Sequence, residues 1–199
     1  METMWDERYS DENYVYGTAP NTFLAEHVQM LQGPVLSLAE GEGRNAVFMA
    51  SHGLDVLGVD GSAVGLAKAR QLAQRHGVTI RVEQADLASY VPPEATFGAV
   101  VSIFGHLPGQ ARKRLHALVE RSLRPGGIFL LESYSKAQID RDTGGPKNLD
   151  MLVRREDIER EFQACEILLS QEIEREVIEG QFHTGLASVV QFIARKKAP

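Results

Sequence analysis

Three features of the sequence predict an α/β fold with a seven-stranded, mostly parallel sheet, helices on both faces and an antiparallel hairpin at the end. Strand-like apolar runs alternate with helix-length segments from residue 23 to residue 132, the order that generates right-handed βαβ crossovers. One of these runs, Phe97-Gly-Ala-Val-Val-Ser-Ile-Phe104, is apolar without alternation, as a strand covered on both faces should be. The last third changes character. Residues 166–179 and 185–196 read as two long strands joined by a tight turn at Glu179-Gly180, and strands joined so closely must be antiparallel.

The elements follow in order. Residues 23–31 form a helix with Asn21 or Thr22 as cap. Residues 35–39 are a short strand, and a glycine turn carries the chain into a helix over 44–51 that ends at a glycine, Gly53. The second strand is 55–59, after which Ser62 caps an Ala- and Lys-rich helix stopped by Gly77. Residues 79–84 alternate as a third strand, and 86–90 begin a loop or short helix. The buried strand over 97–104 leads to an amphipathic helix over 108–123, which Pro125-Gly126-Gly127 terminates before a fifth strand at 128–132. Residues 142–149 are the one long turn-rich loop, and 151–160 are helical and strongly charged towards their end. No linker, repeat or low-complexity tract interrupts the chain, so 1–199 is read as a single domain.

Composition narrows the function classes. With 43% hydrophobic and 24% charged residues, this is an ordinary globular composition, and no apolar run approaches the roughly 20 residues needed to span a bilayer. The first residues, Met-Glu-Thr-Met-Trp-Asp-Glu-Arg, contain no apolar signal-peptide core. A single cysteine, Cys165, excludes an internal disulfide framework, fits a cytoplasmic location and reads as a buried structural thiol. The net charge of −6 and the scatter of Lys and Arg argue against a nucleic-acid surface. Arg112-Lys113-Arg114 reads as the solvated face of a helix, and Arg195-Lys196-Lys197 as a tail. The six histidines are dispersed, without metal-ligand spacing.

The chemistry concentrates at Ala39-Glu40-Gly41-Glu42-Gly43-Arg44-Asn45. Strand, glycine turn and helix together let backbone press against a nucleotide-like ligand. The second strand then ends at Asp60, where a carboxylate can hold a ribose diol. Four separated motifs resemble those of class I S-adenosylmethionine-dependent methyltransferases: Val35-Leu-Ser-Leu-Ala-Glu-Gly-Glu-Gly43, Val59-Asp60, Gln84-Ala-Asp-Leu87 and Leu123-Arg-Pro-Gly-Gly127. The opening Trp5-Asp-Glu-Arg-Tyr9, Tyr16-Gly17 and Glu-Gly-Arg-Asn are similar to the tellurite-resistance-type and thiopurine-type small-molecule enzymes of that class.

The resemblance implies a Rossmann-like class I methyltransferase fold, S-adenosyl-L-methionine as cofactor, and methyl transfer to a small soft nucleophile such as a thiol or chalcogen oxyanion. It implies a lid and helix in 1–33, a cofactor-binding core in 34–134 and a substrate-side loop, helix and hairpin in 135–199. It places the cofactor against Tyr16, Ala39, Glu40, Gly41, Gly43, Asn45, Asp60, Gly61, Ser62, Asp86, Leu87, Ser102, Ile103, Phe104 and His106. Expected partners are a small-molecule acceptor, with neither nucleic acid nor membrane, and a monomer or weak homodimer. A non-catalytic binding domain and a protein or nucleic-acid methyltransferase stay as alternatives. A dehydrogenase is disfavoured by the second acid, the terminal hairpin and the lack of a tyrosine–lysine pair after the fourth strand.

Two positions depart from the family pattern: Ser37 stands where an acid is common, and Ala39 where the first glycine is usual. Glu40 reads either as a replacement carboxylate serving the cofactor's cationic end or as a solvent-facing loop acid. No catalytic residue is assigned, because a sulfonium is already a good electrophile. His106, Tyr134 and His183 are candidates, with His183 expected to be exposed. Trp5, Tyr9, Tyr14 and Tyr16 are either a lid over the sulfonium, with Tyr16 as its main member, or a staple over the core. The loop 142–149 is a second lid candidate.

Overall fold

The structure, a computed structural model, describes residues 4–180 and 183–198. Its helices are α1 (Met4–Tyr9), α2 (Thr22–His27), α3 (Arg44–Ser51), α4 (Ala63–Arg75), α5 (Gly109–Ser122) and α6 (Arg155–Glu161). Its strands are β1 (Val35–Leu38), β2 (Val56–Asp60), β3 (Arg81–Gln84), β4 (Phe97–Ile103), β5 (Leu123–Tyr134), β6 (Glu166–Glu179) and β7 (His183–Arg195). All seven strands share one sheet in the order β3-β2-β1-β4-β5-β7-β6. The first five pair in parallel, and β7 runs antiparallel between β5 and β6. The chain winds outward from β1 to β3 and then returns to β4 on the other side of β1. The carboxyl ends of β1 and β4 therefore flank a topological switch point, where open α/β sheets bind ligands.

Both faces of the sheet are covered, which explains the apolar strands. Val35, Ala99, Val101, Ile103 and Leu130 pack on one face with Phe23 and Leu24 of α2 and Met49 of α3. Leu36, Leu38, Val100, Phe129 and Leu131 pack on the other with Leu115 and Val119 of α5 and Ile158 of α6. Each such side chain, fully buried, contributes about 1.5–3 kcal/mol. The helices start where the sequence signals them. Asn21 Oδ1 accepts the Leu24 N–H at 3.0 Å, and Ser62 Oγ accepts the Gly65 N–H at 3.0 Å. Gly43 opens α3 at φ +93°, and a Cβ there would stand 2.6 Å from Ala69, so only glycine lets α3 and α4 approach so closely.

Several expectations are corrected. β5 continues to Tyr134, past the expected end at residue 132. The expected helix over 151–160 is a 3-10 turn at Leu149–Met151 followed by α6. The Arg112–Arg114 run is a solvated face only in part: Lys113 and Arg114 are exposed. Arg112 is buried and pairs with Glu161 at 3.0 Å, while Arg114 donates to the carbonyls of Ala88, Ser89 and Tyr90. Cys165 is buried, as expected. Among the described residues, no helix is long and apolar enough to cross a membrane.

Candidate active site

The loop from β1 to α3 is built from backbone that side chains disfavour. Ala39, Gly41 and Gly43 have φ of +53°, +57° and +93°. Ala39 thus adopts a left-handed conformation that costs a non-glycine residue roughly 1–2 kcal/mol. This bend aims the Gly41 N–H at Asp60 Oδ2, 2.9 Å away at the end of β2. Asp60 Oδ1 accepts the Ser62 N–H at 2.8 Å. Burial raises the Asp60 carboxyl above its ordinary range, against the lowering effect of those two N–H bonds. Each oxygen keeps a lone pair for a further donor.

Glu40 does not face solvent. It is buried, accepts the Ala46 N–H at 2.8 Å and takes a hydrogen bond from Ser37 Oγ. It thereby ties β1 to α3 from within the loop, beside the position where the sequence lacks an acid. Desolvation pushes its carboxyl up to about 7, with the Ser37 and Ala46 hydrogen bonds and the Arg44 charge opposing.

These residues line a cavity of about 590 Å³ at the carboxyl ends of β1 to β4. Gln84, Ala85, Asp86 and Leu87 enter from the end of β3, and Ile103 to Leu107 from the end of β4. The volume falls within the roughly 300–1,000 Å³ of small-molecule sites. Arg44 also faces the cavity; one of its nitrogens pairs with Glu179, while Nη1 is buried without a partner among the described residues.

The amino-terminal segment covers this cavity. Trp5, Tyr9 and Tyr16 are in its lining, with Trp5 stacked on Tyr9 at 5.9 Å. Three contacts pin the segment: Asp6 accepts from Ser62 Oγ at 2.6 Å, Glu42 Oε2 accepts the Val15 N–H at 2.8 Å, and Lys68 Nζ donates to the Asp11 carbonyl at 2.9 Å. Tyr14 stands outside, donating to the Lys68 carbonyl at 3.1 Å. The lid reading and the staple reading therefore divide the four aromatics between them.

The far wall is a ring cluster. Phe104 stacks on Tyr134 at 4.5 Å, and His106 lies nearly parallel to Tyr134 at 5.5 Å. His183, expected to be exposed, is buried, 4.6 Å from the Tyr16 ring and 4.9 Å from Phe104. Antiparallel pairing with β6 brings it back over the sheet's carboxyl edge. Burial lowers the His106 imidazole to about 4 and that of His183 to about 3.

Most of the sequence-predicted residues converge on the cavity: Tyr16, Ala39, Glu40, Gly41, Asn45, Asp60, Gly61, Asp86, Leu87, Ile103, Phe104, His106 and His183. Four do not line it. Gly43 serves helix packing, Ser62 caps α4, Ser102 is buried beneath Gly105, and Tyr134 stands behind Phe104. The loop 142–149 is not in the lining either; Gly145 abuts the Tyr134 ring and Thr143 bonds the Leu186 carbonyl at 2.9 Å. Sequence reasoning missed Arg44 and the anchoring acids Asp6 and Glu42, whose partners are distant in the chain. Among the described residues, no group of three or more His, Cys, Asp or Glu side chains is placed to hold a metal ion.

A family model described as a methyltransferase domain matches residues 35–127. A curated relative, 2-heptyl-1-hydroxyquinolin-4(1H)-one methyltransferase of Mycobacteroides abscessus, is 24% identical over 119 residues, 58% of this chain. The match takes in 52% of that relative, so it spans about half the relative's length. The crystal structure of TehB from Haemophilus influenzae superposes with a TM-score of 0.74 at 17% identity, covering 98% of this chain and 67% of that one. A SAM-dependent methyltransferase from Methanosarcina mazei superposes at 0.64 with 17% identity, covering 83% and 92%. The cofactor these comparisons imply, S-adenosylmethionine, fits the residues present: glycine backbone open to close approach, two strand-end carboxylates, and an unpartnered buried donor on Arg44. Residues 35–127 thus match a methyltransferase-domain model, and the chain as a whole shares the fold of these solved structures.

Proposed function

We propose that this chain transfers a methyl group from S-adenosylmethionine to a small-molecule acceptor bound in the same cavity. The observation that carries the reading is that the glycine turn, Asp60 and Asp86 all open into one 590 Å³ space. When bound, the cofactor supplies a methyl group already activated by positive sulfur. The protein's share is to hold both partners in line and exclude water.

On this reading Asp60 accepts from the ribose hydroxyls with the lone pairs that Gly41 and Ser62 leave free. Asp86 and the Leu87 backbone meet the adenine edge. Gly41 lets backbone approach the cofactor, and Arg44 Nη1 donates to its amino-acid carboxylate. Trp5 and Tyr16 close the first 33 residues over the site as a lid. The acceptor is a small soft nucleophile. Among the described residues, Glu40, Glu42, Asp60 and Asp86 line the cavity against a single guanidinium, Arg44, one of whose nitrogens is already paired with Glu179. That balance suits a sulfonium and favours an uncharged, thiol-like acceptor over a chalcogen oxyanion.

Isothermal titration with S-adenosylmethionine tests the reading. Asp60→Ala removes charge-assisted hydrogen bonds worth about 1.5–3 kcal/mol and should weaken binding roughly 10- to 100-fold, with the circular dichroism spectrum unchanged. Absence of binding to the native chain at millimolar cofactor would end the proposal, and unchanged affinity in Asp60→Ala would end the diol assignment.

A further inference from the structure

One face of α4 is given over to the first residues of the chain. Its cap Ser62, then Gly65 and Lys68, recur every three residues and so stand in a row along the helix. Ser62 Oγ donates to Asp6 at 2.6 Å. At Gly65 the Tyr9 ring comes so close that a Cβ would stand 2.9 Å from its Cδ2. Lys68 completes the row. Its Nζ donates to the carbonyls of Asn13 at 2.6 Å, Asp11 at 2.9 Å and Tyr9 at 3.4 Å, and pairs with Glu42. The ammonium lies over the Tyr14 ring, 5.0 Å from its centre, and the Tyr14 hydroxyl donates back to the Lys68 carbonyl at 3.1 Å. Only 12% of the Lys68 side chain is exposed.

The segment needs this outside support. Beyond α1, the backbone bonds that residues 7–17 make among themselves are Ser10 N–H to Glu7 and Gly17 N–H to Tyr14, among the described residues. Its path is therefore set by what it meets. An ammonium is a point charge with three donors, and carbonyls from alternate residues, 9, 11 and 13, turn in on it. Glu42 takes the next stretch, accepting the Val15 N–H at 2.8 Å and the Tyr16 N–H at 3.4 Å. The Glu42–Lys68 pair thus joins the glycine turn to α4, and both partners hold the segment that brings Trp5, Tyr9 and Tyr16 to the cavity.

Resting on the cofactor-binding reading above, we propose that Lys68 is a positioning residue for S-adenosylmethionine. It is not in the cavity lining and acts through the segment it gathers, which seats the Tyr9 and Tyr16 rings against the bound cofactor. Lys68→Met keeps the stem and removes the donors. Three carbonyls and Glu42 then lose their partner, the segment loosens, and the cofactor leaves faster. A lysine that only stabilised the fold would, when replaced, leave cofactor affinity and the seat of Trp5 unchanged.

Trp5 is the single tryptophan of the chain and stacks on Tyr9, so its fluorescence reports how the segment sits. In Lys68→Met its emission should move to the red and acrylamide should quench it more strongly. Stopped-flow fluorescence should show S-adenosylmethionine dissociating about tenfold faster, with the association rate within about threefold of native. The Kd from calorimetry should rise about tenfold to match. Lys68→Arg, which keeps the charge and the donors, should bring Kd back to within about threefold of native. Hydrogen exchange should quicken at the amides of residues 9–16 and stay unchanged in β1, β4 and β5, which separates a loosened segment from a weakened fold. Native cofactor affinity in Lys68→Met, equal losses in the Met and Arg variants, or faster exchange throughout the sheet overturns the inference while leaving cofactor binding intact. Failure of the native chain to bind S-adenosylmethionine, read first, overturns the cofactor-binding reading and this inference with it.

Discussion

Glu40 shows how one residue can stand in for a missing one. Ser37 and Ala39 occupy places where an acid and a glycine are usual, and the sequence left open whether the nearby glutamate compensates. In the folded chain the two changes belong together. The Ser37 hydroxyl donates to the Glu40 carboxylate, and Gly58 across on β2 leaves room for its stem, since a Cβ there would lie 3.0 Å from Glu40 Cγ. The charges acting on Glu40 are Arg44, which favours ionisation, and Asp60, which opposes it; desolvation outweighs both and raises the carboxyl from 4.5 to about 7. A carboxyl raised on folding contributes stability in full below about pH 4.5, and that contribution is lost as the pH rises towards 7. Binding a sulfonium cation favours the ionised form, so cofactor affinity runs the other way and increases with pH. A shift of about half a unit on binding corresponds to roughly threefold in affinity. Calorimetry between pH 6 and 8 should therefore show S-adenosylmethionine binding about threefold tighter at the upper end. S-adenosylhomocysteine, with neutral sulfur, should show less, and Glu40→Gln should abolish the difference. An equal pH dependence for the two ligands would exclude a Glu40 role in sensing the charge.

At the scale of elements, the amino-terminal strip around Tyr16 meets the end of β6 at Gly180. Gly180 has φ +71°, and a Cβ there would lie 2.2 Å from the Val15 carbonyl oxygen and 2.5 Å from Tyr16 Cα. Gly180→Ala combines left-handed strain with that clash and should cost about 2 kcal/mol or more, mainly by separating the end of β6 from the amino-terminal strip. Urea denaturation would give the stability loss. Limited proteolysis should then cut within residues 10–20 faster than in the native chain, and an unchanged cleavage rate would show that Gly180 does not hold the amino-terminal strip. The same contact explains what the sequence could and could not disclose. β1 to β5 and their helices were legible because apolar runs, caps such as Ser62 and glycine stops are local signals. α1 was not, since six residues form no stable helix alone and this one depends on Asp6 reaching Ser62. The burial of His183 was missed for a related reason: it depends on packing against Tyr16, near the other end of the chain, and no periodicity near residue 183 reports that.

Across the whole molecule, the site rests on a buried ionic network that joins elements far apart in sequence. Glu132 on β5 accepts from Asn21 Nδ2 at 2.7 Å, Gln191 Nε2 at 2.6 Å and Arg175 Nε at 3.0 Å. Glu179 accepts from Asn21 Nδ2 at 2.8 Å and pairs with Arg175 and with Arg44, the guanidinium that faces the cavity. Two carboxylates thus balance two guanidiniums, and Asn21, which also caps α2, bridges the acids. In the sequence Asn21 reads as a helix cap and Arg44 as part of the glycine turn, while Glu132, Arg175, Glu179 and Gln191 read only as polar positions in strands. Their pairing is a product of the strand order, which sets β7 between β5 and β6. Removing one member of such a network leaves an uncompensated buried charge, typically at a cost of about 3–5 kcal/mol. Glu132→Gln and Arg175→Met should each destabilise the protein by about that much in urea denaturation. The double variant should lose clearly less than the sum, because the second change removes the charge that the first left unpaired. Cofactor affinity should fall in Glu132→Gln, although Glu132 is not in the cavity lining, because Asn21 and Arg175 would lose the partner that holds Glu179, and through it Arg44, in place. Strictly additive stability losses with unchanged cofactor affinity would mean that the network only fills the core, and that Arg44 is oriented by α3 alone.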